Sequence, residues 1–130
     1  MDSLEKEFVP YNPALRLKAL GFNEPCLAVF NQEENLYICH SDSFELEDTF
    51  YSQQAIEEIG YKCLAPTFSQ CFRWFREKGY DVKVQKESDG LYFGFYWTGA
   101  AWIIVGNGSH EEAELDCLIK LIEIVESKTE

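Results

Sequence analysis

The run SHEEAELDCLIKLIEIVES, residues 109–127, decides how the chain is read, because it carries a start signal, an apolar stripe and a charge gradient for one helix. Ser109 stands at the N-cap position and Glu112 follows three residues later. The hydroxyl and the carboxylate can each satisfy a backbone N–H that the first turn leaves free, which makes a capping box. Leu115, Leu118, Ile119, Ile122 and Val125 recur at helical spacing, and Cys117, Leu121 and Ile124 widen the apolar arc. An arc that broad calls for a sheet to cover it. Glu111, Glu112, Glu114 and Asp116 crowd the positive end of the dipole and Lys128 lies near the negative end, the favourable order. Roughly 19 residues at about 1.5 Å each give a rod of roughly 28 Å, about the width of a small domain.

Working back from this helix, residues 81–86, 91–97 and 100–105 read as three strands, with Asp89-Gly90 and Thr98-Gly99 as tight turns between them. A meander is the economical topology. Alternation along 91–97 puts Leu91, Phe93, Phe95 and Trp97 on one face and Tyr92, Gly94 and Tyr96 on the other. The first face is expected against the helices and the second half wet. Upstream, Pro66 opens a helix with Phe68, Cys71, Phe72 and Phe75 on one side and Arg73, Arg76 and Lys78 elsewhere, before Gly79. Trp74 falls beside that stripe. Residues 26–30 and 36–39 read as an antiparallel pair across a polar loop. Asn12-Pro13 starts a short helix that Gly21 ends, and Ser52 caps a brief helix that Gly60 stops. These elements predict one α+β domain over residues 1–130, an antiparallel sheet of about five strands packed by about three helices beginning near Pro13, Pro66 and Ser109.

The chain has 130 residues, of which 46% are hydrophobic and 15% aromatic, too apolar for intrinsic disorder. No apolar run approaches the roughly 18 residues of a membrane span. Residues 1–7 lack the apolar core of a secretory signal, so a cytoplasmic protein is expected. Cys26, Cys39, Cys63, Cys71 and Cys117 are odd in number and form no C-x-x-C pair. Reduced, buried thiols are the expectation, with no disulfide framework and no structural metal. The net charge is −12, which argues against nucleic-acid binding. Its distribution says more than its sum. Between residues 19 and 61 stand Glu24, Glu33, Glu34, Asp42, Glu45, Glu47, Asp48, Glu57 and Glu58 without one Lys or Arg, whereas Lys62, Arg73, Arg76, Lys78, Lys83 and Lys86 follow against only Glu77 and Asp81.

Three blocks carry a resemblance. They are Val9-Pro10-Tyr11 with Leu15, Leu17-Lys18, Leu20-Gly21-Phe22 and Pro25-Cys26; Ala65-Pro66-Thr67 with Ser69-Gln70 and Phe72-Arg73-Trp74-Phe75-Arg76-Glu77-Lys78; and Glu111-Glu112-Ala113-Glu114-Leu115 with Cys117-Leu118 and Lys120-Leu121-Ile122-Glu123. Together they resemble an uncharacterised family of small proteins from Bacteroidetes genomes and their phages. The resemblance implies a cytoplasmic bacterial or prophage origin and carries no site residue with it.

Several groups have the composition of a site. Cys39-His40 with Asp42 holds the residue types of a nucleophile pair, but neighbours in a strand point to opposite faces. Asp42, Glu45, Glu47 and Asp48 lack the Gly and the alternating oxygen ligands of a calcium loop. His110 sits among four acids, which disfavours an anion there. Gly106-Asn107-Gly108 lacks the Lys of a phosphate loop and reads as a flexible connection. Arg73, Arg76, Lys78, Lys83 and Lys86 beside Trp74 suit an acidic ligand, against the reading that they balance the acidic middle. Tyr92, Tyr96, Trp97 and Trp102 would make a binding surface if left uncovered, although core packing is expected for Trp97 and Trp102.

No catalytic, cofactor-binding or metal-ligating residue is assigned. The expectation is a non-enzymatic interaction or regulatory accessory protein whose acidic surface, with Asp42, Glu45, Glu47 and Asp48 as partner-binding residues, meets a basic host protein. No direct nucleic-acid or membrane contact is expected. The alternative is a small-molecule-binding protein or small enzyme with a pocket on the aromatic sheet face.

Overall fold

The structure, a computed structural model, describes residues 6–38 and 52–128. It confirms the α+β class, with four helices and six antiparallel strands among the described residues. The strands do not join one sheet of five. They form two sheets of three, and the chain divides into two compact units, Met1–Thr67 and Phe68–Glu130.

In the first unit, α1 (Tyr11–Ala19) is followed by β1 (Ala28–Phe30), β2 (Leu36–Ile38), α2 (Gln53–Ile59) and β3 (Cys63–Ala65). The helix starts earlier than Asn12-Pro13 suggests: Pro10 is its N-cap and makes no side-chain cap bond. Pro13 therefore sits in the first turn, where its missing N–H costs nothing. The β1–β2 hairpin is held by the Asn31 side chain, whose Oδ1 accepts from the N–H groups of Glu33 and Asn35, both at 2.9 Å. At α2 the cap is the expected one, with Ser52 Oγ accepting from Ala55 N–H at 3.1 Å and Gly60 in the left-handed conformation that ends the helix.

β3, which is not among the strands expected from the sequence, takes the second edge of β1, giving the order β2-β1-β3. Both β1 and β3 are buried along their whole length. Chain beyond β3 stays extended, since Pro66 C=O accepts from Val9 N–H at 2.9 Å and Thr67 bridges Phe8. For this reason the next helix begins at Phe68 and not at Pro66.

The second unit runs α3 (Phe68–Glu77), β4 (Val82–Lys86), β5 (Tyr92–Trp97), β6 (Trp102–Gly108) and α4 (His110–Lys128). Its strands form the expected meander in the order β4-β5-β6. The capping box of α4 is present: Ser109 N–H donates to Glu112 Oε1 at 2.9 Å, and Glu112 N–H to Ser109 Oγ at 3.1 Å. The Ser109 backbone N–H, and after it the Ser109 side chain, hold the Glu112 carboxyl below its ordinary pKa. Ala113, Cys117, Leu118, Leu121 and Ile122 are buried along α4, which packs on all three strands of its sheet. At the far end of α4, Lys128 Nζ donates to Tyr80 OH at 3.0 Å. No helix among the described residues is long and apolar enough to cross a membrane.

Candidate functional site

The site is built on the meander. β5 pairs with β4 through Val82↔Tyr96, Val84↔Gly94 and Lys86↔Tyr92, and with β6 through Gly94↔Gly106 and Tyr96↔Ile103. Residues paired across an antiparallel ladder share a face. One face therefore holds Val82, Val84, Tyr92, Gly94, Tyr96, Ile103 and Gly106. The opposite face holds Lys83, Gln85, Phe93, Phe95, Trp97, Trp102 and Ile104.

α4 lies on the first of these, which reverses the expected orientation. A Cβ built on Gly94 would lie 2.7 Å from Cys117 Sγ and 2.9 Å from the Ala113 carbonyl oxygen. A side chain at Gly106 would run into the Asp116 carboxylate. The two glycines open a trough into which the helix backbone sinks, and close packing on a Gly-lined trough outweighs the greater hydrophobicity of the phenylalanine face. Gly106-Asn107-Gly108 is thus the end of β6 and not a flexible connection. Its β-bulge is the extra residue Val105, between the pairs Phe95↔Ile104 and Gly94↔Gly106.

The aromatic face is left open. Trp97 and Trp102 are each 37% exposed and Ile104 is 60% exposed, correcting the core role expected for the two tryptophans. Their rings lie 5.3 Å apart, centroid to centroid. Lys83 Nζ stands 4.6 Å over the Trp102 ring and 5.2 Å from that of Phe95. The chain itself thus shows what this face can do: it holds a cation against the negative faces of aromatic rings.

The other candidates are dispersed or differently employed. Asp42, Glu45, Glu47 and Asp48, like Cys39 and His40, lie outside the described residues. Of the same acidic stretch, Glu33, Glu34, Glu57 and Glu58 are exposed. The loop carrying Glu33 and Glu34 is tied to the end of α2 by Gln32 Nε2 donating to Gly60 C=O at 2.9 Å. The basic group is split: Lys83 serves the open face, Lys86 alternates to the other, and Lys78 lies 4.5 Å over Trp74, which is buried in α3.

His110 contacts Glu114 at 3.4 Å and meets Tyr92 edge-on at 5.1 Å, so both its contacts are structural. Cys26, Cys63, Cys71 and Cys117 are buried free thiols. Burial pushes Cys63 and Cys117 up to about 11, so neither is a thiolate at neutral pH. Among the described residues no group of three or more His, Cys, Asp or Glu is placed to hold a metal ion.

A groove of about 260 Å³ lies between β6 and α4, lined by Ile103, Ile104, Val105, Asp116, Ile119, Lys120 and Glu123. It follows the strand edge. Burial, with Glu112 nearby, raises the Asp116 carboxyl above its ordinary pKa. The signal that would have identified the open face is the pair of glycines at Gly94 and Gly106, which marks the side that another backbone approaches. No family model, no curated protein and no solved structure matches the chain.

Proposed function

We propose that this is a cytoplasmic, non-enzymatic interaction protein whose aromatic sheet face receives arginine side chains of a basic protein partner. The observation that carries the reading is the exposed Trp97–Trp102 pair with a lysine ammonium already seated on it. Exposed tryptophan is the residue type that dominates binding energy at protein interfaces, and a guanidinium stacks on it better than an ammonium does. The net charge of −12 supplies the long-range attraction. In this reading Asp42, Glu45, Glu47 and Asp48, with the exposed Glu33, Glu34, Glu57 and Glu58, steer the partner, and the tryptophans hold it.

The test uses an oligoarginine peptide of about ten residues against oligolysine of the same length, followed by isothermal titration calorimetry. A cation–π contact at an exposed site contributes about 0.5–1 kcal/mol for either cation, and the extra planar stacking of a guanidinium should favour oligoarginine by roughly twofold or more. That preference should vanish in Trp97→Ala/Trp102→Ala and persist when Asp42, Glu45, Glu47 and Asp48 are changed to Lys. The charge-reversed protein should bind both peptides more weakly and with less salt dependence. Equal affinity for the two peptides, or an arginine preference that survives loss of both tryptophans, refutes the assignment.

A further inference from the structure

The two edges of the β4-β5-β6 sheet are not alike. β4 reads VKVQK and carries Lys83 and Lys86, the charged residues that commonly stop an edge strand from pairing with another chain. β6 reads WIIVGNG and has no charge and no proline. Trp102, Ile103 and Ile104 are exposed at 37%, 41% and 60% in succession. Ile103 lies on the α4 side of the sheet and its neighbours on the aromatic side, so their common exposure comes from their place at the edge.

The main-chain groups at that edge follow from the ladder. Trp97 N–H donates to Asp81 C=O at 3.0 Å and so points to β4, while Thr98 N–H donates to Ala101 C=O at 3.0 Å across the hairpin. Hydrogen-bonded and non-bonded pairs alternate along an antiparallel ladder. Tyr96↔Ile103 is accordingly a bonded pair, and Trp97↔Trp102 and Phe95↔Ile104 are non-bonded ones. The N–H and C=O groups of Trp102 and Ile104 are left pointing outward.

We infer that β6 pairs with β6 of a second copy, antiparallel about a twofold axis through Ile103, making one six-stranded sheet. In that register Trp102 of each copy faces Ile104 of the other, and the outward groups of both exchange about four hydrogen bonds. Side-chain faces agree: Trp102 and Ile104 meet on the aromatic side, and the two Ile103 residues meet on the α4 side. An isologous contact of this kind needs a self-complementary surface. The uncharged strand supplies it, and the groove beside it bears both signs, Lys120 with Asp116 and Glu123, around Ile103 and Ile119. The bulge at Val105 ends the ladder and keeps the paired segment short. This dimer does not depend on the partner proposed for the aromatic face, and it would place two such faces side by side.

The test is mass and register together. Sedimentation at about 10–100 µM should show twice the chain mass, and raising salt should strengthen the dimer, because screening relieves repulsion between two copies of like charge. In a Cys39→Ser background, Ile103→Cys should give a disulfide-linked dimer on mild oxidation. Its Cα atoms would sit about 4.5 Å apart in a non-bonded pair, inside the range a disulfide spans. Ile104→Cys should not link, being roughly 8–9 Å from its own copy, beyond the roughly 7 Å limit. Ile104→Pro removes an outward N–H without touching the β5–β6 ladder and should weaken the dimer at least about tenfold. A monomer at every concentration and salt, linkage of Ile104→Cys as fast as Ile103→Cys, or a folded Ile104→Pro dimer of unchanged affinity overturns the inference.

Discussion

Gly94→Ala tests which face of the sheet α4 covers. The added methyl would lie 2.7 Å from Cys117 Sγ and 2.9 Å from Ala113 O, where ordinary carbon contacts rest at about 3.5–4.0 Å. The carbonyl belongs to the helix backbone, so no side-chain rotation relieves both contacts and α4 must lift by several tenths of an ångström. Overpacking of this size costs about 1–3 kcal/mol. Gly94 does not have a positive φ, so alanine adopts its backbone freely and recovers about 0.5–1 kcal/mol of chain entropy. The net expectation is a loss of about 1–2 kcal/mol, or a fall in Tm of roughly 4–8 °C for a chain of this length. Urea unfolding followed by circular dichroism measures it. Cys117→Ala in the same protein removes one of the two contacts, so the double-mutant cycle should show coupling of about 0.5–1.5 kcal/mol in the relieving direction. A Gly94→Ala protein as stable as the parent or more so would mean that the tyrosine face is not the packed one, and the open aromatic face would fall with it.

Trp102→Ala, which loses the ring contact with Trp97 and the Lys83 contact, should cost about 1–2 kcal/mol, whereas Phe75→Ala, at a fully buried ring, should cost about 3–5 kcal/mol; equal losses in denaturant melts contradict the exposure of Trp102. Ser109→Ala should cost about 1 kcal/mol at neutral pH and raise the Glu112 pKa, read by carboxyl NMR. Because the folded Glu112 pKa is lowered, the part of the stabilisation that the carboxylate carries is present above the unfolded value and lost as pH falls through the folded one. The gap between parent and variant should therefore narrow in acid and not close, since the Glu112 N–H to Ser109 Oγ bond does not titrate. Cys63 and Cys117, with pKa values of about 11, should resist a thiol reagent at pH 8 in the native protein and react fully in denaturant; native reaction at the rate of an exposed thiol contradicts their burial.

Local chemistry determined much of this molecule from the sequence alone. The capping box Ser109/Glu112, the Ser52 cap, the left-handed Gly60 stop and the tight turns of the meander each depend on residues within a few positions of one another. Their geometry is set before any tertiary contact forms. The division of β5 into two faces is equally local, since alternation has a period of two whatever the strand packs against. Which face goes inside was decided only by tertiary structure. Both faces are apolar enough to be buried, and the choice fell to depth of approach: Gly94 and Gly106 let the α4 backbone come within contact of the strands, which no count of phenylalanines reveals. The partition into two sheets was undetermined for a related reason. A hairpin pattern fixes the pairing of two adjacent strands and leaves both outer edges open, and only the folded chain shows that β3 fills one edge of β1 while the edge of β6 stays free among the described residues.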